Sequence, residues 1–185
     1  MTERNTVLRS MHDLGLAAWF GGSLMGAVGL NGAASDVTER SDRARVASVG
    51  WGRWSPVNAA AIGTHLIGAV GLIAANRERI AAQEGVAGMS LTKTALTAAA
   101  VGTTAYSGAL GRQVAEAGRV DAEGANIPSP VTPEKVAKAQ QQLRIVQWAI
   151  PALTGALVIV SAFAGEQQSG VEVRRGVARR LVLRG

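Results

Sequence analysis

The sequence predicts an all-α protein, a four-helix transmembrane bundle with a juxtamembrane helical hairpin. The main observation is the distribution of charge. The chain has 19 basic and 13 acidic residues, yet four stretches contain no Asp, Glu, Lys or Arg: residues 14–35, 54–76, 94–111 and 145–165. A helix exposed to water needs a polar stripe along its length, and these stretches have no charged one.

Each stretch is close to the ~20 residues that a helix needs to cross about 30 Å of hydrocarbon. We therefore predict one domain over residues 1–165 and a basic C-terminal tail over 166–185. The spans are expected at about 14–34, 56–75, 91–110 and 145–164. The first is interpreted as a membrane anchor, because its uncharged run is longer than that of a usual signal peptide.

Composition narrows the possible functions. Cysteine is absent, which excludes disulfides, thiolate catalysis and cysteine-ligated metal sites. The formal net charge of +6 comes without a basic groove interleaved with aromatic residues, so nucleic-acid binding is not expected. Basic residues are mostly Arg, in a chain rich in Ala and Gly, which is associated with bacteria of GC-rich genomes. We expect a multi-pass protein of the bacterial inner membrane.

Turn and cap residues place the helix ends. Ser55 followed by Pro56 is a typical helix start and predicts that the second helix begins at Pro56. Between the third and fourth spans, Gly124 to Val131 contains two prolines and breaks the helical pattern. Thr132 and Pro133 then predict a new helix start. Residues 111–147 are therefore expected to project as a helical hairpin beyond the bilayer.

The hairpin carries apolar residues at helical spacing, and these residues need another surface to pack against. They are Val114, Val120, Val136 and Leu143. One candidate cover is the charged connector 35–53, which lies on the same side of the membrane. The other candidate is a surface of a partner protein, and this makes the four residues a predicted interface.

Tryptophans predict where the chain meets the membrane interface, and basic residues predict which side of the membrane holds the termini. Trp51, Trp54 and Trp148 are predicted to lie at one membrane interface, where indole rings prefer to sit. The arginines of the tail can meet anionic cytoplasmic lipid, so both termini are expected on the cytoplasmic side.

Small residues recur at helical spacing within the spans and predict close helix–helix packing. Lipid gives apolar helices no hydrophobic reason to associate, so close backbone approach matters more than in water. The predicted packing residues are Gly22, Gly26, Thr64, Gly68, Ala99 and Thr103. Such stripes can pack the chain's own bundle, a second copy or another membrane subunit.

His65 is the candidate site residue, because an imidazole in the middle of a span needs a partner. A structural role is one interpretation, with a bond to a hydroxyl group of a neighbouring helix. The alternative is a ligand role for haem or copper, together with Met25 at a similar predicted depth. His12 is expected at the membrane edge, about 15 Å from His65 in depth.

One segment resembles a known family. Residues 11–24, with His12 followed by Trp19, Gly21 and Gly22, look like the opening helix of small bacterial multi-helix membrane domains of the copper-resistance D-like type. The resemblance covers one helix of four. It implies a multi-helix membrane domain that handles copper or haem, but the Met- and His-rich ligand set expected for copper is missing from this sequence.

We expect a non-enzymatic membrane protein, because the sequence contains no catalytic motif. The predicted function is that of an accessory or scaffolding subunit that contacts membrane lipid and either another membrane protein or a second copy. No cofactor is expected. The alternative is a small haem- or metal-binding redox protein using His65. A small-solute transporter comes third, because no span contains an acidic residue to relay protons or cations.

Overall fold

The computed structural model describes residues 5–77 and 84–167, and this part of the chain folds into four long helical rods. The first rod consists of α1, a π-helical segment and α2 without a break. The elements are α1 Thr6–Met25, the π segment Gly26–Leu30, α2 Asn31–Ser35, α3 Arg40–Ala75, α4 Glu84–Glu116, β1 Ala122–Gly124, β2 Ile127–Pro128 and α5 Glu134–Gln167. The predicted all-α class is confirmed. The basic tail from residue 168 onward lies outside the described residues.

Three helices of the described part are long and apolar enough to cross a membrane. They are Thr6–Ser35, Arg40–Ala75 and Glu134–Phe163. The predicted third span, residues 91–110, is helical as part of α4. That helix is not among the three, and it contains Lys93 and many threonines.

The predicted helix start at Pro56 is wrong. The 36-residue helix α3 begins at Arg40 and passes through Pro56 without ending. A proline inside a helix lacks an N–H and crowds the carbonyl four residues earlier, which here belongs to Gly52. Space beside Gly52 is open, since an added Cβ would meet nothing within 4 Å. The connector predicted for residues 35–53 is therefore mostly the first part of α3.

The hairpin between the last two long helices differs from its prediction in two ways. Its arms are the ends of α4 and α5, helices of 33 and 34 residues, rather than short separate helices. Its tip is a two-stranded antiparallel β-hairpin, in which Ala122 pairs with Pro128 and Gly124 with Ile127. The predicted helix start after Pro133 is confirmed, because α5 begins at Glu134 and the Pro133 carbonyl accepts hydrogen bonds from the next turn.

Glycines bring α1 and α3 into contact along their length. A Cβ on Gly15 would lie 2.5 Å from the Ala61 carbonyl oxygen, and a Cβ on Gly68 would overlap the backbone of His12. The two backbones therefore touch at this end of the pair. Such an approach requires glycine, because any side chain would push the helices apart.

At the other end of the pair, indole rings fill the glycine notches. The Trp54 ring occupies the place of a Cβ on Gly22, and the Trp51 ring that of a Cβ on Gly26. Both tryptophans are half-buried between helices. Glycines on α1 therefore leave room for both rings between the helices, and the membrane interface expected for Trp51, Trp54 and Trp148 stays a prediction.

The other predicted packing residues take less part in the contacts. Thr64 and Thr103 are half-buried, and each hydroxyl donates a hydrogen bond to the carbonyl one turn earlier on its own helix. Ala99 is exposed on α4. The interior between the helices instead holds the cluster of Trp19, Ala100 and Ile150.

We predict that Gly26→Leu destabilises the protein, because its side chain would compete with the Trp51 ring for the same space. Overpacking of this kind lowers the free energy of unfolding by roughly 1–3 kcal/mol. We expect a loss at or above the upper end of this range, because the overlap with the ring is large. Gly32→Leu is the matched control on the same rod, since a Cβ there would meet nothing within 4 Å. Thermal unfolding in detergent measures both. Equal loss of stability in the two variants would contradict the Trp51 contact.

Candidate functional site

His12 and His65 lie together at one end of the α1–α3 pair. Their ring centroids are 4.4 Å apart and the ring planes are inclined by 45°. Both residues are buried, His65 completely. Trp19 lies on the other side of His65 at a centroid distance of 6.1 Å, and its indole N–H donates a hydrogen bond to the Thr104 hydroxyl.

Hydrogen bonds fix which nitrogen of each ring carries the proton. The Nδ1 atom of His65 lies 3.0 Å from the backbone oxygen of His12, and that of His12 lies 2.7 Å from Asp13 Oδ1. A carbonyl and a carboxylate only accept hydrogen bonds, so both Nδ1 atoms donate. The Nε2 atom of a neutral His65 is then an acceptor, and it is buried without a hydrogen-bond partner in the described structure.

The structure places Met25 far from His65. The Met25 side chain is 60% exposed and lies next to Gly29, while His65 contacts residues 12, 15 and 19 of the same helix. The predicted depth difference of about 15 Å between His12 and His65 is wrong, since the two rings are in contact. The glycine contacts offset α3 along α1, so the centres of the two uncharged stretches do not lie side by side.

The geometry limits how a haem could bind. Backbone contacts at Gly15 and Gly68 leave no room for a macrocycle between α1 and α3 beside the two histidines. The hydroxyl partner expected for His65 is replaced by a backbone carbonyl. Within the described residues no group of three or more His, Cys, Asp or Glu side chains could hold a metal ion.

A second polar site joins the rods at the opposite end of α1. Asn31 follows the π segment directly and is buried. Its amide donates a 2.7 Å hydrogen bond to Gln147 Oε1, and its Oδ1 accepts a 2.9 Å bond from the Trp51 indole. Asn126 of the β-hairpin also donates to Gln147. One amide cluster thus connects α2, α3, α5 and the β-hairpin.

The β-hairpin is further held by its backbone at Ala125. The Ala125 N–H donates to the Ser35 hydroxyl at 3.0 Å, and its carbonyl accepts from Gln140 Nε2 at 3.3 Å. Gln140 is completely buried. The sequence did not predict these contacts, although amide side chains within uncharged stretches, such as those of Asn31 and Gln147, are a signal of interior contacts.

The four predicted interface residues lie in one apolar cluster within the chain. Val114, Val136 and Leu143 are buried there, Val120 packs against it, and Ala44 of α3 is part of it. The cover thus comes partly from the segment 35–53, the first of the two candidates. The four side chains have little surface left for a partner protein.

Ion pairs surround this cluster on the outside. The Asp42 carboxylate, about three turns before the uncharged part of α3, contacts Arg45 at 2.8 Å and Arg119 at 2.9 Å. The hydrogen bond from Arg45 and the charge of Arg119 lower the pKa of Asp42 below its ordinary value. The resulting stabilisation is present above the unfolded pKa of Asp42 and is lost as the pH falls through the folded pKa.

Comparison of the chain with known protein families, characterised proteins and solved structures finds no match. The resemblance of residues 11–24 to the copper-resistance D-like type stays a prediction. In the structure, His12 and Trp19 face the interior, Gly22 receives the Trp54 ring, and space beside Gly21 is open.

We predict that His65→Asn folds with a stability within about 1 kcal/mol of the wild type, because an amide N–H can still donate to the His12 carbonyl. The wild-type protein, expressed with sufficient haem supply, should show no Soret band. Met25→Leu is the control, since Met25 was the other predicted ligand. A Soret band in the wild type that disappears in His65→Asn would contradict the structural role of His65, and its loss in Met25→Leu as well would support the predicted ligand pair.

Proposed function

We propose that this chain is a multi-pass protein of the bacterial inner membrane that acts, without enzymatic activity, as an accessory or scaffolding subunit. On this proposal it crosses the bilayer with its helical rods and has both termini on the cytoplasmic side. It contacts a second copy or another membrane protein through the end of the molecule that carries the β-hairpin. We call that end, residues 31–50 and 114–143, the cap.

The observation that carries the membrane part of the proposal is an inverted burial pattern. Of the five largest fully buried side chains, three are polar: His65, Gln140 and Thr154. Large apolar side chains face outward on the rods instead, among them Val28, Ile67, Val70, Ile159 and Phe163, each 58–66% exposed. A water-soluble protein does not present so much apolar surface along uncharged helices, whereas lipid covers it at no cost.

The scaffolding part of the proposal is supported by the way the polar side chains are used. The buried amides of Asn31 and Gln140 and the half-buried amide of Gln147 make hydrogen bonds that hold the rods and the β-hairpin together. Arg40 and Arg43 add bonds from α3 to Glu123 of the hairpin. These contacts stabilise one arrangement of the cap, and a surface with a single arrangement loses little entropy when a partner binds.

Two large apolar side chains of the hairpin region stay exposed in the cap. Val131 is 74% exposed and Ile127 is 38% exposed, next to the buried residues that hold the hairpin in place. We propose these two side chains as the contact surface for the partner, in place of the four buried residues of the cluster.

The unpartnered Nε2 atom of His65 supports a second candidate, the haem- or metal-binding role. The atom is a buried acceptor that a ligand with a donor group, or a metal ion, would satisfy. The absorbance measurement on His65→Asn distinguishes this candidate from the scaffold when the ligand is haem.

We predict that the double variant Val131→Asp, Ile127→Asp keeps the stability of the wild type within about 0.5 kcal/mol, because both side chains are exposed. It should lose the contact with its partner, measured as the assembly mass in detergent and as crosslinks formed within the native membrane. Val136→Asp is the contrasting variant: it buries an unpaired charge and should lower stability. A double variant with wild-type assembly mass and crosslinks would contradict the proposed surface.

A further inference from the structure

We propose that a groove on the outer face of α5, next to the cap, binds one anionic phospholipid. The groove is a shallow depression open to the outside, with a volume of about 660 Å³, and is lined by Gln141, Arg144, Ile145, Gln147 and Trp148. This inference rests on the proposed membrane location, and it adds a defined lipid site to an otherwise general lipid contact.

The helical spacing brings a donor group and an apolar surface together. Gln141, Arg144, Ile145 and Trp148 follow one another at intervals that place them on one helix face. Ile145 is 74% exposed and Trp148 is 49% exposed. Gln147 forms the inner wall, since its amide is already bonded to Asn31 and Asn126.

Charge points to an anion in this groove. No acidic residue lines it. The Arg144 side chain has no ion pair or hydrogen bond within the part of the chain that the structure describes, whereas four basic residues of the neighbouring cap are paired with acids: Arg40, Arg45, Arg119 and Lys138. A guanidinium group binds phosphate oxygens through two parallel hydrogen bonds, so a phosphodiester fits the unpaired Arg144.

Depth points to a lipid as the source of that phosphate. Arg144 is the last charged residue before the uncharged stretch 145–165. Trp148 lies one turn deeper, where an indole ring prefers the boundary between headgroups and acyl chains. Further along the same face, Ala152 and Ile159 are exposed and give an acyl chain an apolar track.

The test is thermal stabilisation of the full-length protein in detergent by added phosphatidylglycerol, compared with phosphatidylcholine and with soluble glycerol 3-phosphate. We expect phosphatidylglycerol to stabilise the wild type most and glycerol 3-phosphate not at all. In Arg144→Gln the apparent affinity for phosphatidylglycerol should fall about tenfold, the usual effect of losing a charged hydrogen-bond donor.

Arg112→Gln is the matched control. Arg112 is exposed, has no ion pair or hydrogen bond in the described structure and also borders an uncharged stretch, 94–111, but it does not line the groove. It should leave the affinity unchanged. Equal losses in both variants, or equal stabilisation by glycerol 3-phosphate, would overturn the lipid site.

Extraction of cell membranes with alkaline carbonate separates this proposal from the membrane location on which it rests. If the protein stays in the membrane pellet but Arg144→Gln binds phosphatidylglycerol like the wild type, the lipid site is refuted and the membrane location is not. A protein released into the soluble fraction refutes the membrane location and the lipid site with it.

Discussion

The close contact between α1 and α3 is the constraint on which the rest of this structure depends. Without side chains at Gly15 and Gly68, the two backbones meet directly, and only one offset along the helices satisfies both contacts. That offset brings His65 beside His12 and aligns Trp54 and Trp51 with the notches at residues 22 and 26. The register of the helix pair thus sets the position of its polar and aromatic residues.

The same register determines how the cap is assembled. Once the Trp51 ring lies against Gly26, its N–H reaches Asn31, and the Asn31 amide reaches Gln147 of α5. The π segment Gly26–Leu30 adds a wider turn directly before Asn31, and such turns are frequent at functional sites. A chain of hydrogen bonds therefore runs from the helix pair to the β-hairpin through the interior of the bundle.

The sequence predicted the helical class, the interruption between α4 and α5 and the restart at Glu134, because these follow from charge distribution and local cap residues. It also identified Gly22, Gly26 and Gly68 as packing positions. It could not predict that α3 continues through Pro56, since the local start signal there is strong and tertiary contacts override it. The β-hairpin is held by side chains that are distant in sequence: the Ser35 hydroxyl, the Gln140 amide and the guanidinium groups of Arg40 and Arg43. No local sequence pattern predicts these partners.

The pairing of His65 was the clearest failure, and its cause is physical. The uncharged stretches predict the depth of a residue only if all of them are centred on one plane. Helices in contact are instead aligned by their side chains, and long polar extensions such as Arg40–Arg53 move one uncharged stretch relative to another. Contact geometry, rather than span position, decided that His12 is the neighbour of His65 and that Met25 is not.

The most direct test of this account is a double-mutant cycle at Gly22 and Trp54, read from the free energy of unfolding in detergent. If the Trp54 ring fills the Gly22 notch, Gly22→Leu should destabilise the wild type strongly and should cost much less when Trp54→Ala has removed the ring. We predict a coupling energy of about 1–3 kcal/mol between the two changes. Additive penalties would show that α1 and α3 do not meet in this register and would contradict the account.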